Sequence, residues 1–142
     1  MKKRKLNAEI EYDFDLYGLI STLKEYKLAW HLNNALDIQL DKVDDVKITF
    51  LKSKSLIISN YLYATEHSSI RLLRNRSADE FESDSLYVMP ELKRFDFLLL
   101  VQGFEDTYDQ ARMKQQVGSV PQVQYVQSFV VDDLKSRENL IF

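Results

Sequence analysis

The chain has 142 residues, 22 acidic and 19 basic side chains, a formal net charge of −3 and no cysteine. This length predicts one domain whose core needs no disulfide or metal, and the lack of cysteine excludes thiol catalysis, iron–sulfur clusters and Cys-ligated zinc. No apolar run approaches the ~18 residues of a membrane helix, so we expect no membrane association.

The first five residues form a basic segment. Lys2, Lys3, Arg4 and Lys5 are followed by Leu-Asn-Ala-Glu and not by the apolar stretch of a secretion signal, so we expect a cytoplasmic protein. Residues 6–142 carry 15 basic against 22 acidic side chains, and this charge disfavours nucleic acid. We interpret residues 1–5 as a flexible tail before a single domain, residues 6–142. The alternative is a basic arm that binds RNA or lipid headgroups.

Residues 6–16 alternate between apolar and polar side chains without interruption, which predicts a strand with one buried face. Tyr17–Ile20 extends or bends this strand. The alternative is a helix, because Leu16, Leu19, Ile20 and Leu23 also have helical spacing. We prefer the strand, since Thr22 and Glu25 have the spacing of a capping box that begins a helix afterwards.

The predicted first helix, Leu23–Leu36, is apolar on two sides. One stripe is aliphatic and suits the sheet of the same domain. It consists of Leu28, Ala29, Leu32, Ala35 and Leu36. The other stripe contains Leu23, Tyr26 and Trp30 and needs a second partner.

Four further strands are predicted between this helix and residue 101. They are Val46–Leu51, Leu56–Ala64, Ile70–Arg76 and Phe95–Val101. The second and third form a hairpin around a polar turn, Thr65–Ser69. The acidic, serine-rich stretch Ser77–Ser85 predicts a surface loop, and the brief extended piece Leu86–Met89 stops at Pro90. Phe95–Val101 is apolar on both faces apart from Asp96, which predicts a central strand.

The last third of the chain predicts a second helix, about Glu105–Val117, with acidic residues early, basic residues late and Gly118 as its stop. A last strand runs from Pro121 through Val131, before the tail Leu134–Phe142. The fold class is therefore α+β: a mostly antiparallel sheet with two main helices on one face, in a single domain.

Residues 89–97, Met-Pro-Glu-Leu-Lys-Arg-Phe-Asp-Phe, resemble the segment that names the bacterial IPExxxVDY family. Pro90, Glu91 and Asp96 match its named letters. Residues 11–16, residues 26–33 and the tail 134–142 are similar to that family as well, so the resemblance covers most of the chain. The family has no assigned activity, and the resemblance therefore implies no catalytic residue.

Glu9, Glu11, Asp13 and Asp15 share one face of the first predicted strand. Such a row could present oxygens to a divalent cation. Half-solvated sheets commonly carry charged rows that pair with basic residues of the next strand, and we prefer this interpretation. We therefore predict no metal site and no cofactor.

Four residues are candidate binding residues. Arg71 and Arg74, together with Arg76, Lys93 and Arg94, could form a phosphate or RNA patch, with Tyr61 and Tyr63 as stacking platforms. Glu91 could project from a rigid loop, although a capping or turn carboxylate is the simpler interpretation. Asp96 lies within an apolar stretch, and a buried carboxylate is costly unless it is paired, so we prefer a structural pair with Lys93, Arg94 or an arginine of the hairpin.

The chain has no P-loop, dinucleotide fingerprint, zinc-protease motif or serine-hydrolase motif. We therefore predict a non-catalytic binding or protein-interaction module rather than an enzyme. We expect a homodimer through Leu23, Tyr26 and Trp30, and an unidentified protein partner is possible. The alternatives are a metal-dependent enzyme that uses carboxylates, and an RNA-associated factor that uses the basic tail and the arginine hairpin. For the aromatic helix face, the alternative to a dimer is coverage by Leu140–Phe142.

Overall fold

The computed structural model describes residues 12–49, 55–77, 87–103 and 110–142. Within these ranges the chain forms six strands, two α-helices and three short 3₁₀ turns. In chain order, the strands and α-helices are β1 (Asp15–Ile20), α1 (Glu25–Leu36), β2 (Asp41–Thr49), β3 (Ser55–Ala64), β4 (Ser69–Arg74), β5 (Phe97–Gln102), α2 (Gln110–Gly118) and β6 (Tyr125–Phe129). The 3₁₀ turns are Pro90–Leu92, Val131–Asp133 and Arg137–Leu140.

The six strands form one sheet in the order β2-β3-β4-β5-β1-β6. Every neighbouring pair is antiparallel. The predicted α+β class, an antiparallel sheet with two helices, is confirmed. No helix within the described ranges has both the length and the apolar character that crossing a membrane requires.

β5 is a central strand, as its apolar sequence predicted. It lies between β4 and β1. Phe97, Leu99 and Val101 are buried on the helix side, and Leu98 and Leu100 are buried on the other side. Gly103 ends the strand at φ 79°, where a Cβ atom would lie only 2.2 Å from the carbonyl oxygen of His67.

The helices cover one face of the sheet. Leu28, Leu32 and Leu36 of α1 and Met113 and Val117 of α2 are almost completely buried in this core. The predicted aliphatic stripe of α1 is therefore the one that packs on the sheet. Leu23 and Ala35 are half-buried against the same core.

The opposite face is covered by irregular chain and not by helices. Its core contains the side chains of β-strand residues together with those of two segments, 87–95 and 131–140. Met89 and Phe95 from the first segment and Leu134 and Leu140 from the second are buried there. The tail therefore packs on the face opposite α1, and the predicted alternative, in which Leu140–Phe142 covers the aromatic side of α1, is wrong.

The start of α1 differs from the prediction. Its N-cap is Lys24, whose side chain makes no capping hydrogen bond, so the Thr22–Glu25 capping box does not form. The Ser21 hydroxyl instead accepts the N–H of Leu23 at 3.2 Å. β1 also begins at Asp15, so the described residues Tyr12–Phe14 precede it, while residues 1–11 of the predicted strand and tail lie outside the described ranges.

β2 is longer than the predicted Val46–Leu51, because it begins at Asp41 and continues past an irregularity between Val43 and Val46. It forms one edge of the sheet and is rich in charged residues: Asp41, Lys42, Asp44, Asp45 and Lys47. Charges and bulges on an edge strand disfavour pairing with another sheet. This edge is therefore protected against strand addition.

One other predicted element differs in extent, and two lie partly or largely outside the described ranges. β6 is shorter than predicted, since Val120 and Val123 form a turn before it and a 3₁₀ turn begins at Val131. α2 is described from Gln110 only, and the start of the predicted helix falls in residues 104–109, outside the described ranges. Most of the predicted acidic loop, residues 78–85, also lies outside them.

Candidate functional site

Asn75 organises the segment that resembles the family motif. This residue follows β4 and is fully buried. Its Nδ2 donates to the carbonyl oxygens of Leu92 and Phe95, both at 3.0 Å, and its Oδ1 accepts the N–H of Met89 at 2.9 Å. Its backbone carbonyl accepts the N–H of Val88 at 2.8 Å. One side chain thus shapes residues 88–95, a role that the sequence analysis missed.

Asp96 is exposed and lies just before β5, not buried within it as its sequence context suggested. Its Oδ2 accepts the backbone N–H of Ser21 at 3.0 Å. The predicted pairing of this carboxylate with a basic residue is replaced by a bond to backbone. Asp96 therefore joins the start of β5 to the turn between β1 and α1, and its second oxygen is left for other donors.

Glu91 holds the C-terminal segment. Its Oε2 accepts the N–H of Ser136 at 2.7 Å, although the two residues are 45 positions apart. Burial alone would raise the pKa of Glu91, but the hydrogen bonds from backbone N–H groups and from Ser136 outweigh it and hold the pKa below its usual value. The interpretation of Glu91 as a carboxylate that accepts backbone N–H groups agrees with this geometry.

The predicted arginine patch is divided between the two faces of the sheet. Side chains alternate along β4, so Arg71 lies on the side of the C-terminal tail and Arg74 on the side of α1. Arg71 donates to Oδ1 of Asn60 at 3.0 Å and lies over the ring of Phe142, 5.3 Å from its centroid. Burial lowers the pKa of Arg71. These contacts give Arg71 a structural role beneath the tail.

Arg74 forms an ion pair across the helix side of the sheet. Its Nη1 lies 3.1 Å from Oε1 of Glu25 at the start of α1, and both side chains are about three-quarters buried. The pair therefore fixes α1 against β4. Arg94, another basic residue of the predicted patch, lies over two aromatic rings. Its guanidinium carbon is 5.0 Å from the centroid of the Phe95 ring and 5.9 Å from that of the Tyr125 ring.

A cleft of about 320 Å³ lies beside this ion pair, between the end of β4, the motif segment and the turn before α1. Its polar lining comes from Thr22, Arg74, Arg76, Tyr87, Lys93 and Asp96, among others. Tyr87 is placed there by an antiparallel bridge to Arg76. The sequence analysis named Arg74, Arg76 and Lys93 as basic residues of one patch. Only the fold shows that Tyr87 and Thr22 line the same cleft.

The second distinctive surface is the outer side of α1. Tyr26 is 57% exposed and Trp30 is 62% exposed. The rings of Trp30 and His31 lie edge to face with their centroids 5.0 Å apart, and the Lys27 Nζ lies 6.0 Å from the centroid of the Tyr26 ring. Of the predicted interface residues, Leu23 is half-buried against the core, while Tyr26 and Trp30 project outward.

The predicted acidic row can be traced only in part. Glu9 and Glu11 lie outside the described residues, Asp13 is exposed, and Asp15 accepts a hydrogen bond from Nε2 of Gln110 at 2.9 Å. Within the described ranges, no group of three or more His, Asp or Glu side chains is arranged to hold a metal ion.

Comparisons of the whole chain with known proteins found no match. No family model matches the chain, and neither a curated protein nor a solved structure is significantly similar to it. Membership of the IPExxxVDY family therefore stays a prediction.

Proposed function

We propose that the protein is a cytoplasmic, non-catalytic interaction module that uses the outer side of α1, and that its partner there is a second copy of the chain. The observation that carries this proposal is the exposure of Tyr26 and Trp30, at 57% and 62%. Large aromatic side chains dominate the binding energy of many interfaces. Tyr26 and Trp30 lie one helical turn apart on α1 and together form an exposed apolar patch.

The charges along α1 favour a second copy in antiparallel orientation. Lys24 precedes the helix and Asp37 follows it, and both are exposed. A two-fold axis near Trp30 and His31 places Lys24 of one copy opposite Asp37 of the other, and it does so twice. Antiparallel helices also align their dipoles favourably. Such self-complementarity is what an interface between identical chains requires.

The alternative functions fit the described geometry less well. An RNA-binding patch needs the arginines on one surface, yet Arg71 and Arg74 lie on opposite faces of the sheet. A metal-dependent carboxylate enzyme needs several acidic groups in one site, yet Glu91 binds the C-terminal segment while Asp96 binds the turn before α1, and no group of three or more His, Asp or Glu side chains among the described residues is arranged to hold a metal ion. We therefore prefer the interaction module.

Light scattering coupled to size exclusion tests the dimer. We expect wild type to be dimeric at micromolar concentration and Trp30→Glu to be a monomer with an unchanged far-ultraviolet circular dichroism spectrum. Val130→Glu is the matched control, since Val130 is 65% exposed and lies away from α1, and this variant should remain dimeric. A monomeric wild type at high concentration would contradict the proposal, whether or not another protein binds α1.

The charge variant Lys24→Glu provides a second comparison if Trp30→Glu does not fold. It places like charges opposite each other at both ends of the helix pair, so we expect a weaker dimer. Lys135→Glu makes the same change of charge on the exposed C-terminal segment and should leave the dimer intact. Equal weakening by both variants would show that net charge, and not this helix, controls association.

A further inference from the structure

The cleft beside β4 contains basic groups that form no ion pair with the described part of the chain. Arg74 is paired with Glu25. Arg76 and Lys93 are exposed, and neither forms an ion pair with any residue that the structure describes. Two cationic side chains that form no ion pair within the described ranges thus line one concave site, and this is the arrangement expected of an anion-binding site.

The other cleft residues define what accompanies the anion. Thr22 and Tyr87 add hydroxyl groups that can donate to phosphate oxygens. Asp96 uses one carboxylate oxygen for the Ser21 N–H, and its second oxygen can accept a hydroxyl of a ligand. A carboxylate in the same site repels a second phosphate group. The lining therefore matches a ligand with one phosphate and a hydroxylated body.

Size and charge restrict the ligand to a small molecule. A volume of about 320 Å³ lies at the lower end of the range for ligand pockets, roughly 300–1,000 Å³. The net charge of −3 disfavours long polyanions such as nucleic acid. We infer that the cleft binds a small phosphomonoester of the sugar-phosphate class, with Arg76 and Lys93 on the phosphate and Asp96 on a hydroxyl group. This inference is independent of the dimer, because it uses a different surface.

Calorimetric titration with ribose 5-phosphate tests the site, with ribose and inorganic phosphate as comparison ligands. Wild type should bind ribose 5-phosphate saturably and more tightly than either part alone. Arg76→Gln and Lys93→Gln should each weaken binding about tenfold, the loss typical of one charge-assisted contact. Lys114→Gln, an exposed cation on α2, is the control and should bind as wild type does.

Asp96→Asn tests recognition of the ligand hydroxyl separately from recognition of the phosphate. The amide oxygen of asparagine can still accept the Ser21 N–H, so the fold of the cleft should be kept. This variant should bind inorganic phosphate at least as tightly as wild type, because a negative charge is removed, and should lose the preference of wild type for ribose 5-phosphate over inorganic phosphate. Absence of saturable binding by wild type at millimolar ligand would overturn the inference. Equal weakening by Lys114→Gln and Arg76→Gln, or identical affinity for phosphate and ribose 5-phosphate, would overturn it too.

Discussion

Asn75 provides the sharpest test of how the motif segment is held. Asn75→Ala removes three hydrogen bonds from a fully buried position. The Leu92 carbonyl keeps a second donor, the N–H of Phe95 at 2.9 Å. The Met89 N–H and the Phe95 carbonyl lose the partner that the side chain provided. A buried polar group without a partner costs about 1–3 kcal/mol, so the two together predict a loss of roughly 2–6 kcal/mol in unfolding free energy.

Urea denaturation followed by far-ultraviolet circular dichroism measures this loss. Asn34→Ala is the matched control, because Asn34 is exposed on α1 and donates a single hydrogen bond to the Trp30 carbonyl at 3.0 Å. The control should change stability by no more than about 0.5 kcal/mol. If Asn75→Ala costs less than about 1 kcal/mol, the proposed role of Asn75 is wrong. A lower m-value would indicate that the segment detaches before the sheet unfolds.

Three further predictions concern the core and the motif. Leu99→Ala should cost about 2–5 kcal/mol in thermal or chemical unfolding, because Leu99 is fully buried in the central strand, and a loss below about 0.5 kcal/mol would place it at a surface. Gly18→Ala should destabilise by about 1–3 kcal/mol, since its Cβ would lie 2.8 Å from the ring of Phe95; an unchanged melting temperature would contradict this packing. Glu91 has a lowered pKa in the folded chain, so the stability that wild type has over Glu91→Gln should be present above the ordinary glutamate pKa of 4.5 and disappear as the pH falls through the folded value. A difference between the two proteins that does not vary with pH would refute this role of Glu91.

Two residues of segment 89–97 contact other parts of the chain. Glu91 binds the C-terminal segment, and Asp96 binds the turn after β1. Pro90 begins a 3₁₀ turn whose Leu92 is buried in the second core. Glu91 and Asp96 thus connect segment 89–97 to other parts of the chain, and Pro90 begins a turn within it.

Much of the fold was predictable from local sequence pattern. The unbroken apolar run of β5 indicated a strand buried on both faces, because side chains on both sides of a central strand are shielded from water. The polar turn between β3 and β4 indicated their hairpin, which the Thr65 N–H closes by donating to the Ser68 carbonyl at 2.8 Å. The two-sided helix α1 was predictable because helical periodicity assigns each residue to a face.

Only the tertiary structure decided which distant groups meet. Sequence proximity suggested one arginine patch, but strand alternation places Arg71 and Arg74 on opposite faces of the sheet, and the buried Asn75 follows the end of β4. The sequence also determined that the C-terminal tail is apolar. It did not determine whether the tail packs on the aromatic side of α1 or on the sheet face opposite α1, where Leu134 and Leu140 are buried. Local pattern determines which faces must be buried, because burial follows from periodicity. Which segment buries each face depends on contacts between residues far apart in the chain, and no local pattern contains that information.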